Sequence, residues 1–556
     1  MGVYLNSKSP YILFKEDANS IYFVDKSEIL KEFVPILESE EGGLVRFREK
    51  GTKYICITRP RRFGKTVMAN MIASYFGKGI DSSNIFGNLN VSGYGWYRKH
   101  LNQHNVIHIM LNELPRDCQT YQDYIERIQT RLLRDLMASY PDAGIEQEHA
   151  VWDVLGDIFE YCGGERFIFV LDEWDYIFHR NFVTEEEKAS YIEFLRNLLK
   201  DKPYVKMVYM TGILPIAKYS SGSELNMFFE FSMASREKYS AYFGFTEEEV
   251  DHLYERYENV EQHPNVTRNG LRKWYDGYQT KSGICLYNPR SVIGALSLNQ
   301  LGNYWTSSGP YDEIYTYVKH NIAGIKDEIA SLISGGGIPA NVEEYASTSM
   351  ELATKDEIYS AMVVYGFLTY GNGYVSIPNK ELADKFADMI RQKPAFGYIN
   401  RLAAESSKML EATKAGDAKK MAEILERVHN TESPLERYSS EAELSKVITF
   451  AYLQARVFYD IRLEDRSGTG YVDYIFYPYR KEDDGIIIEL KMDQPVESAI
   501  QQIKDRNYAL NFEGKLGEEP KCTGRILAVG IAYNRKDPNK RHTCKVEILR
   551  GKQVSL

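Results

Sequence analysis

Four short apolar runs separated by helical stretches constrain this chain most. KYICITR from Lys53, VIHIML from Val106, FIFVLDE from Phe167 and VKMVYMTG from Val205 carry few polar interruptions. A strand that is apolar on both faces has to be covered on both, which is the setting of a parallel sheet between helices. Strands alternating with helical segments over residues 51–245 therefore predict a largely parallel sheet built through crossover helices.

The first run leads straight into a second constraint. It continues as RPRRFGKT and then VMANMIASYF, where Met68, Met71, Ile72, Tyr75 and Phe76 recur at helical spacing. Strand, tight loop, Gly64-Lys65-Thr66 and helix is the layout of a phosphate-binding P-loop. The loop backbone at Arg62, Phe63 and Gly64, with the helix N-terminus behind it, offers N–H groups to phosphate. Lys65 is placed to reach the β- and γ-phosphates of ATP, and the Thr66 hydroxyl to ligate magnesium. The loop departs from the usual pattern at its first position, where Arg59 stands in place of glycine. Pro60, Arg61 and Arg62 stiffen and charge it further. Downstream, RFIFVLDEWD ends a buried strand at Asp172, placed to hold magnesium through water. Glu173 follows, placed to polarise an attacking water. Thr211, at the end of the next strand, is placed to sense the γ-phosphate.

A third constellation lies near the C-terminus, in TGYVDYIFYPYRKEDDGIIIELK. A charged turn separates two strands, one carrying Asp473 and the other ending in Glu489-Leu490-Lys491. Two carboxylates on adjacent hairpin strands hold a hard divalent cation, magnesium or manganese, with the Leu490 carbonyl as a further expected ligand. Lys491 falls on the Glu489 face because strand side chains alternate. Its ammonium can orient a metal-activated water or neutralise a phosphoryl oxygen.

Taken together, these stretches resemble the bacterial AAA-ATPase-like family, many of whose members end in a PD-(D/E)xK nuclease-like domain. RPRRFGKT carries the resemblance, with YFVDKSEIL before it and VLDEWD and MTGI after it. WYDGY at Trp274, YNPRSV at Tyr287 and AIQQIKDRNY at Ala499 extend it over nearly the whole chain. The resemblance implies an α/β protein in four parts. These are a P-loop NTPase parallel-sheet domain, a helical lid, a helical and winged-helix-like connector, and a C-terminal restriction-endonuclease-like α/β domain. It makes Asp473, Glu489 and Lys491 the core nuclease residues. It also suggests a metal-adjacent glutamate on the helix of SEAELSKVITFAYLQAR, where Glu441 fits best and Glu443 second. Gln502 and Tyr508 are suggested by the resemblance alone. Six residues apart, they stand about 240° apart on a regular helix and cannot both face one site.

The expected organisation is a leader (1–50), the ATPase core (51–245), a lid (246–300), the connector (301–434) and the nuclease-like domain (435–556). The leader's YFVDKSEILKEFVPIL reads as a short strand turning into an amphipathic helix. The lid opens on a Thr246–Glu249 capping box. Trp274, Tyr275 and Tyr278 read as core more readily than as base-stacking groups. Residues 357–390 read as helix, hairpin, helix, a docking element, and the polar helix 403–434 as a linker.

No run of about 18 apolar residues occurs, so no membrane span is expected. MGVYLNSKSPYILFKED lacks the basic-then-apolar pattern of a signal peptide. Six scattered cysteines without a CxxC pair fit a reducing cytoplasm and argue against structural zinc. A net charge of −10 argues against loose coating of nucleic acid, since phosphate contacts dominate such affinity. Local positive charge near the third constellation comes from Arg456, Arg462, Arg466, Lys491, Lys504 and Arg506. The run RKDPNKRHTCK from Arg535 reads as a solvated face. The function expected is ATP binding and hydrolysis joined to magnesium-dependent cleavage of nucleic acid, DNA rather than RNA, under nucleotide control, with room for a homo-oligomer. The alternative is an ATP-dependent switch or sensor whose nuclease-like fold binds nucleic acid or protein without cutting.

Overall fold

Strand β1 (Tyr54–Thr58) is buried at every residue, as are β3 (Phe167–Asp172) and nearly all of β2 (Asn105–Met110) and β4 (Val205–Gly212). With β5 (Phe229–Phe231) they form one parallel sheet in the order β2-β3-β4-β1-β5. The apolar runs thus do what their two-faced hydrophobicity requires. One face is covered by helix α1 (Lys65–Phe76) and the N-terminal helices, which share a core with Phe14, Phe33, Met68 and Ile72. The other is covered by helices Tyr121–Ser139, Val151–Tyr161 and Glu185–Leu199 around Tyr124, Leu155 and Tyr191. The structure, a computed structural model, describes residues 2–38, 53–145, 149–216, 224–305 (apart from 234, 235 and 237), 354–392, 398–432, 441–467, 470–513, 520–537 and 541–550, with short pieces at 328–329, 332–333, 335–342 and 539.

The leader differs from expectation. Residues 22–25 form no strand. Asp25 instead accepts the N–H of Ser27 at 2.8 Å and of Asn90 at 2.6 Å, which commits this backbone to capping turns. Beyond the sheet, Thr246 and Glu249 form the expected capping box on helix Glu247–Val260. This helix packs with Arg268–Tyr275 and Pro289–Ser297 around Tyr275, Tyr287 and Val292. Tyr275 and Tyr278 are buried core residues. The hairpin Thr369–Gly371 and Tyr374–Ser376 follows helix Lys355–Val364, as the Gly-Asn-Gly turn dictates. It is tied to the lid by the Gln279 N–H, which donates to Thr369 at 2.7 Å.

Contacts divide the chain into two compact units, one of Met1–Pro310 with Pro339–Glu381 and the other of Tyr311–Ile338 with Leu382–Leu556. The second is built on a mixed sheet of β6 (Tyr459–Ser467), β7 (Gly470–Pro478), β8 (Gly485–Met492), β9 (Ile526–Tyr533) and β10 (His542–Arg550), in that order. Only β8 and β9 are parallel, so a crossover must join them, and α3 (Val496–Asp505) supplies it. Gly530, opposite Glu489 in register, lets α3 approach, since a side chain there would meet the Val496 carbonyl at 2.9 Å. The other face is covered by α2 (Glu441–Ala451) and, against expectation, by helices Tyr398–Ala415 and Ala418–Glu432. The described part of 403–434, residues 403–432, is therefore not a linker, and residues 433 and 434 lie outside the described residues. Met409, Leu410, Met421, Ile424 and Leu425 lie in one core with Phe476, Ile486 and Ile488. Its average polarity conceals an amphipathic stripe. No helix among the described residues is long and apolar enough to cross a membrane.

Candidate functional site

Strand register assembles the first site. Ile57, Thr211 and Asp172 stand in one row across β1, β4 and β3, at the C-terminal edge of the sheet where the P-loop begins. The loop turns through left-handed backbone at Arg62 (φ 68°) and Gly64 (φ 85°), and Gly64 caps α1. Arg59 is buried. Its guanidinium donates to the carbonyls of Thr58 and Phe231, both at 2.7 Å, and lies over the Phe243 ring. The side chain in the position usually held by glycine thus faces away from the loop interior and braces it from behind. Phe63 is buried edge-on against Tyr278 of the lid, with ring centroids 4.9 Å apart.

Lys65 is buried and donates to the carbonyls of Arg59 and Pro60 at 3.0 and 2.9 Å. Burial lowers it to about 8, while Asp175, Asp172 and Glu173 act to hold it up. Asp172 is raised to about 6, chiefly by burial, with the nearby Thr66 hydroxyl opposing the rise. One Asp172 oxygen accepts the Glu173 N–H at 3.0 Å, and the other, Oδ2, is buried with no hydrogen-bond partner. A buried orphan carboxylate oxygen facing a P-loop threonine and lysine is the donor set a magnesium–nucleotide complex requires. Glu173 is half-buried, and its φ of 53° is left-handed, a conformation costing a non-glycine residue about 1–3 kcal/mol. Thr211 is fully buried and donates to the Ile57 carbonyl at 2.9 Å, so its hydroxyl stitches β4 to β1.

Sequence reading missed Asp175. It is buried, and its carboxylate accepts the N–H groups of Ile213 and Leu214 at 2.9–3.2 Å. It ties the segment after Asp172 to the end of β4 and puts a third negative charge on Lys65. The third acid of LDEWD was a visible signal. Its partner was not, because Leu214 lies 39 residues away.

The second site lies at the β7–β8 ladder. Pairing runs to Tyr474↔Ile488, and one more step in the same register sets Asp473 across from Glu489. Asp473 Oδ2 accepts the Leu490 N–H at 2.7 Å. In a strand the N–H and C=O of one residue face the same neighbour, so the Leu490 carbonyl is on the Asp473 side. Glu489 is buried and raised to about 7, first by burial and then by the Asp473 charge, with Lys491 opposing. Glu489 Oε1 accepts Lys491 Nζ at 3.2 Å and also Gln502 Nε2. Glu489 Oε2 is buried with no hydrogen-bond partner. Leu490 points into the opposite core, as alternation requires.

The structure thus brings Asp473, Glu489, Lys491 and Gln502 together. Glu441 begins α2, but its side chain and that of Glu443 lie outside the described residues. The helical objection to pairing Gln502 with Tyr508 dissolves, because α3 stops at Asp505 and Asn507 is left-handed at φ 50°. Tyr508 is buried beneath the site and accepts from Arg506 at 3.2 Å. Among the described residues no group of three or more His, Cys, Asp or Glu is placed to hold a metal ion. The second site offers two carboxylates and a backbone carbonyl.

A P-loop ATPase fold and a restriction-endonuclease-like fold in one chain define the class. Residues 17–221 match the family model described as predicted AAA-ATPase, and residues 439–542 match the PD-(D/E)XK nuclease superfamily. The N-terminal part of the chain is thus similar to the predicted AAA-ATPase family and its C-terminal part to the PD-(D/E)XK nuclease superfamily, neither model spanning half of the chain. Among solved structures, the Walker-type ATPase of Pyrococcus abyssi is 12% identical, with a TM-score of 0.36 over 64% of this chain and 95% of its own. The ORC2 protein of Aeropyrum pernix, solved as ADPNP–ADP complexes, is 11% identical, with a TM-score of 0.31 over 65% and 94%. No curated protein matches the chain.

Proposed function

We propose that this protein binds and hydrolyses ATP in its N-terminal unit and cleaves nucleic acid, DNA before RNA, in its C-terminal unit under nucleotide control. The observation that carries the nuclease reading is Glu489. It is a buried carboxylate with an unpartnered oxygen, across from Asp473 and bonded to Lys491. Such an arrangement is costly unless a cation or proton compensates it.

Magnesium or manganese would be held by Asp473, Glu489 and the Leu490 carbonyl, and would supply Lewis-acid stabilisation of phosphoryl charge and a more acidic water. Lys491 then keeps a proton-rich ammonium beside the reacting phosphate and orients the nucleophile. Gln502 holds the Glu489 carboxylate in one rotamer. At the first site, Lys65 exchanges the Arg59 and Pro60 carbonyls for β- and γ-phosphate oxygens, while Thr66 and Asp172 would hold the magnesium. Glu173, fixed in its strained turn, orients the water that attacks the γ-phosphate.

The test is cleavage of labelled DNA and RNA with magnesium or manganese, with and without ATP. Asp473→Ala should lose metal binding and all cleavage yet leave ATP hydrolysis within about twofold, because the sites belong to different units. Lys491→Ala should keep metal binding and lose about 100-fold or more of the cleavage rate. Full cleavage by Asp473→Ala would sink the assignment.

A further inference from the structure

Six basic residues were expected near the nuclease site, and the structure separates them. Arg462 pairs with Asp460, Lys504 with Glu547 and Lys491 with Glu489. The Arg466 side chain lies outside the described residues, and the Arg456 guanidinium is held below its ordinary value by burial. Arg506 is different. It is exposed, and among the described residues no carboxylate forms an ion pair with it. Its N–H still bonds to the Gln502 carbonyl at 3.1 Å, so Arg506 continues the last turn of α3. Residues four apart on a helix share a face, and Gln502 on that face reaches Glu489. Arg506 therefore stands one helical turn beyond the Glu489 carboxylate, on the same side. Its guanidinium is anchored by the buried Tyr508 hydroxyl at 3.2 Å, with further donors left for solvent.

We infer that Arg506 is a substrate-binding residue that grips a backbone phosphate of the nucleic acid next to the one cleaved at Asp473, Glu489 and Lys491. The inference rests on the nuclease reading above. An exposed, anchored guanidinium with spare donors matches a phosphate bidentately at little entropic cost. It also offsets the negative charge of the two carboxylates, which would otherwise repel the strand. Tyr508 acts as a positioning residue, holding the fork at a fixed distance from the metal-binding pair.

The experiment uses the full chain carrying Lys491→Ala, with magnesium present, and reads anisotropy of fluorescein-labelled single- and double-stranded DNA and RNA across a salt series. Adding Arg506→Ala should weaken binding about tenfold or more and lower the slope of log K against log salt by about one unit. Arg506→Lys should restore the slope but only part of the affinity, because the point charge survives and the fork does not. Tyr508→Phe should leave the slope intact. Affinity and slope in Arg506→Ala equal to those of the Lys491→Ala parent would overturn this inference while leaving the nuclease reading standing. Loss in Tyr508→Phe equal to that in Arg506→Ala, slope included, would also overturn it, since the arginine would then only support the fold. If the Lys491→Ala parent and the wild-type chain bind none of the four nucleic acids, the nuclease reading itself falls and this inference with it.

Discussion

Burial and the Asp473 charge together raise Glu489 to about 7, from an ordinary value of 4.5. In the metal-free protein this acid works against the fold once it ionises. Below about 4.5 both folded and unfolded states carry the proton. Between that value and about 7 only the folded state keeps it, so stability falls as pH rises through the window and levels above it. Thermal melts in a chelator should show this decline, and Glu489→Gln should flatten it relative to wild type. Metal competes with the same proton, so the magnesium affinity of the C-terminal site should rise with pH up to about 7 and then level, as calorimetry would record. At the first site, Lys65→Ala should abolish tight ATP binding, because the buried ammonium held inside the loop by the Arg59 and Pro60 carbonyls is the group placed to meet the β- and γ-phosphates. Glu173→Gln should keep binding, read by calorimetry, and lose about 100-fold or more of phosphate release. Wild-type turnover in Glu173→Gln would remove Glu173 as the water-orienting group.

At the level of elements, the helices Tyr398–Ala415 and Ala418–Glu432 decide what can fold alone. They contribute Met409, Leu410, Met421, Ile424 and Leu425 to the core beneath β7 and β8. Each such side chain is worth about 1.5–3 kcal/mol when buried, so losing five removes about as much as the whole stability of a small domain. A fragment of residues 435–556 should therefore fail to melt cooperatively and should aggregate, while 398–556 should give a single transition by circular dichroism. The charged helix surfaces that suggested a linker remain on the outside. Only the inward stripe, matched to Phe476, Ile486 and Ile488 of a sheet that comes later in the sequence, makes these helices part of the domain.

For the molecule as a whole, the proposal that nucleotide governs cleavage has a direct consequence. In the full chain, Lys65→Ala should change the cleavage rate severalfold although it leaves Asp473, Glu489 and Lys491 intact. Cleavage by residues 398–556 should not respond to ATP. Equal rates with ATP, without it, and in Lys65→Ala would dispose of the coupling and leave two independent activities. The overall charge of −10 bears on the substrate side. In the C-terminal unit Lys504 and Lys545 pair with Glu547, Arg535 with Asp493 and Arg541 with Asp537. Such pairing leaves little net positive surface, so engagement through a few defined phosphates fits this unit better than electrostatic coating.

What the sequence determined by itself was the set of features that local rules control. Apolar runs with few polar interruptions committed four strands to a two-faced core, and the Gly64-Lys65-Thr66 turn opened a helix at the end of the first. A hairpin with period-two alternation set Asp473 against Glu489 and kept Lys491 on the Glu489 face. These relations span at most a few tens of residues, so side-chain spacing fixes them. The tertiary structure alone decided where Arg59 goes, what Asp175 holds, which unit owns helices 398–432, and that Gln502 and Arg506 follow one another along the face of α3 that meets Glu489. Each depends on where a crossover or a distant segment comes to rest, and that is settled by packing of the whole unit, which no local pattern encodes.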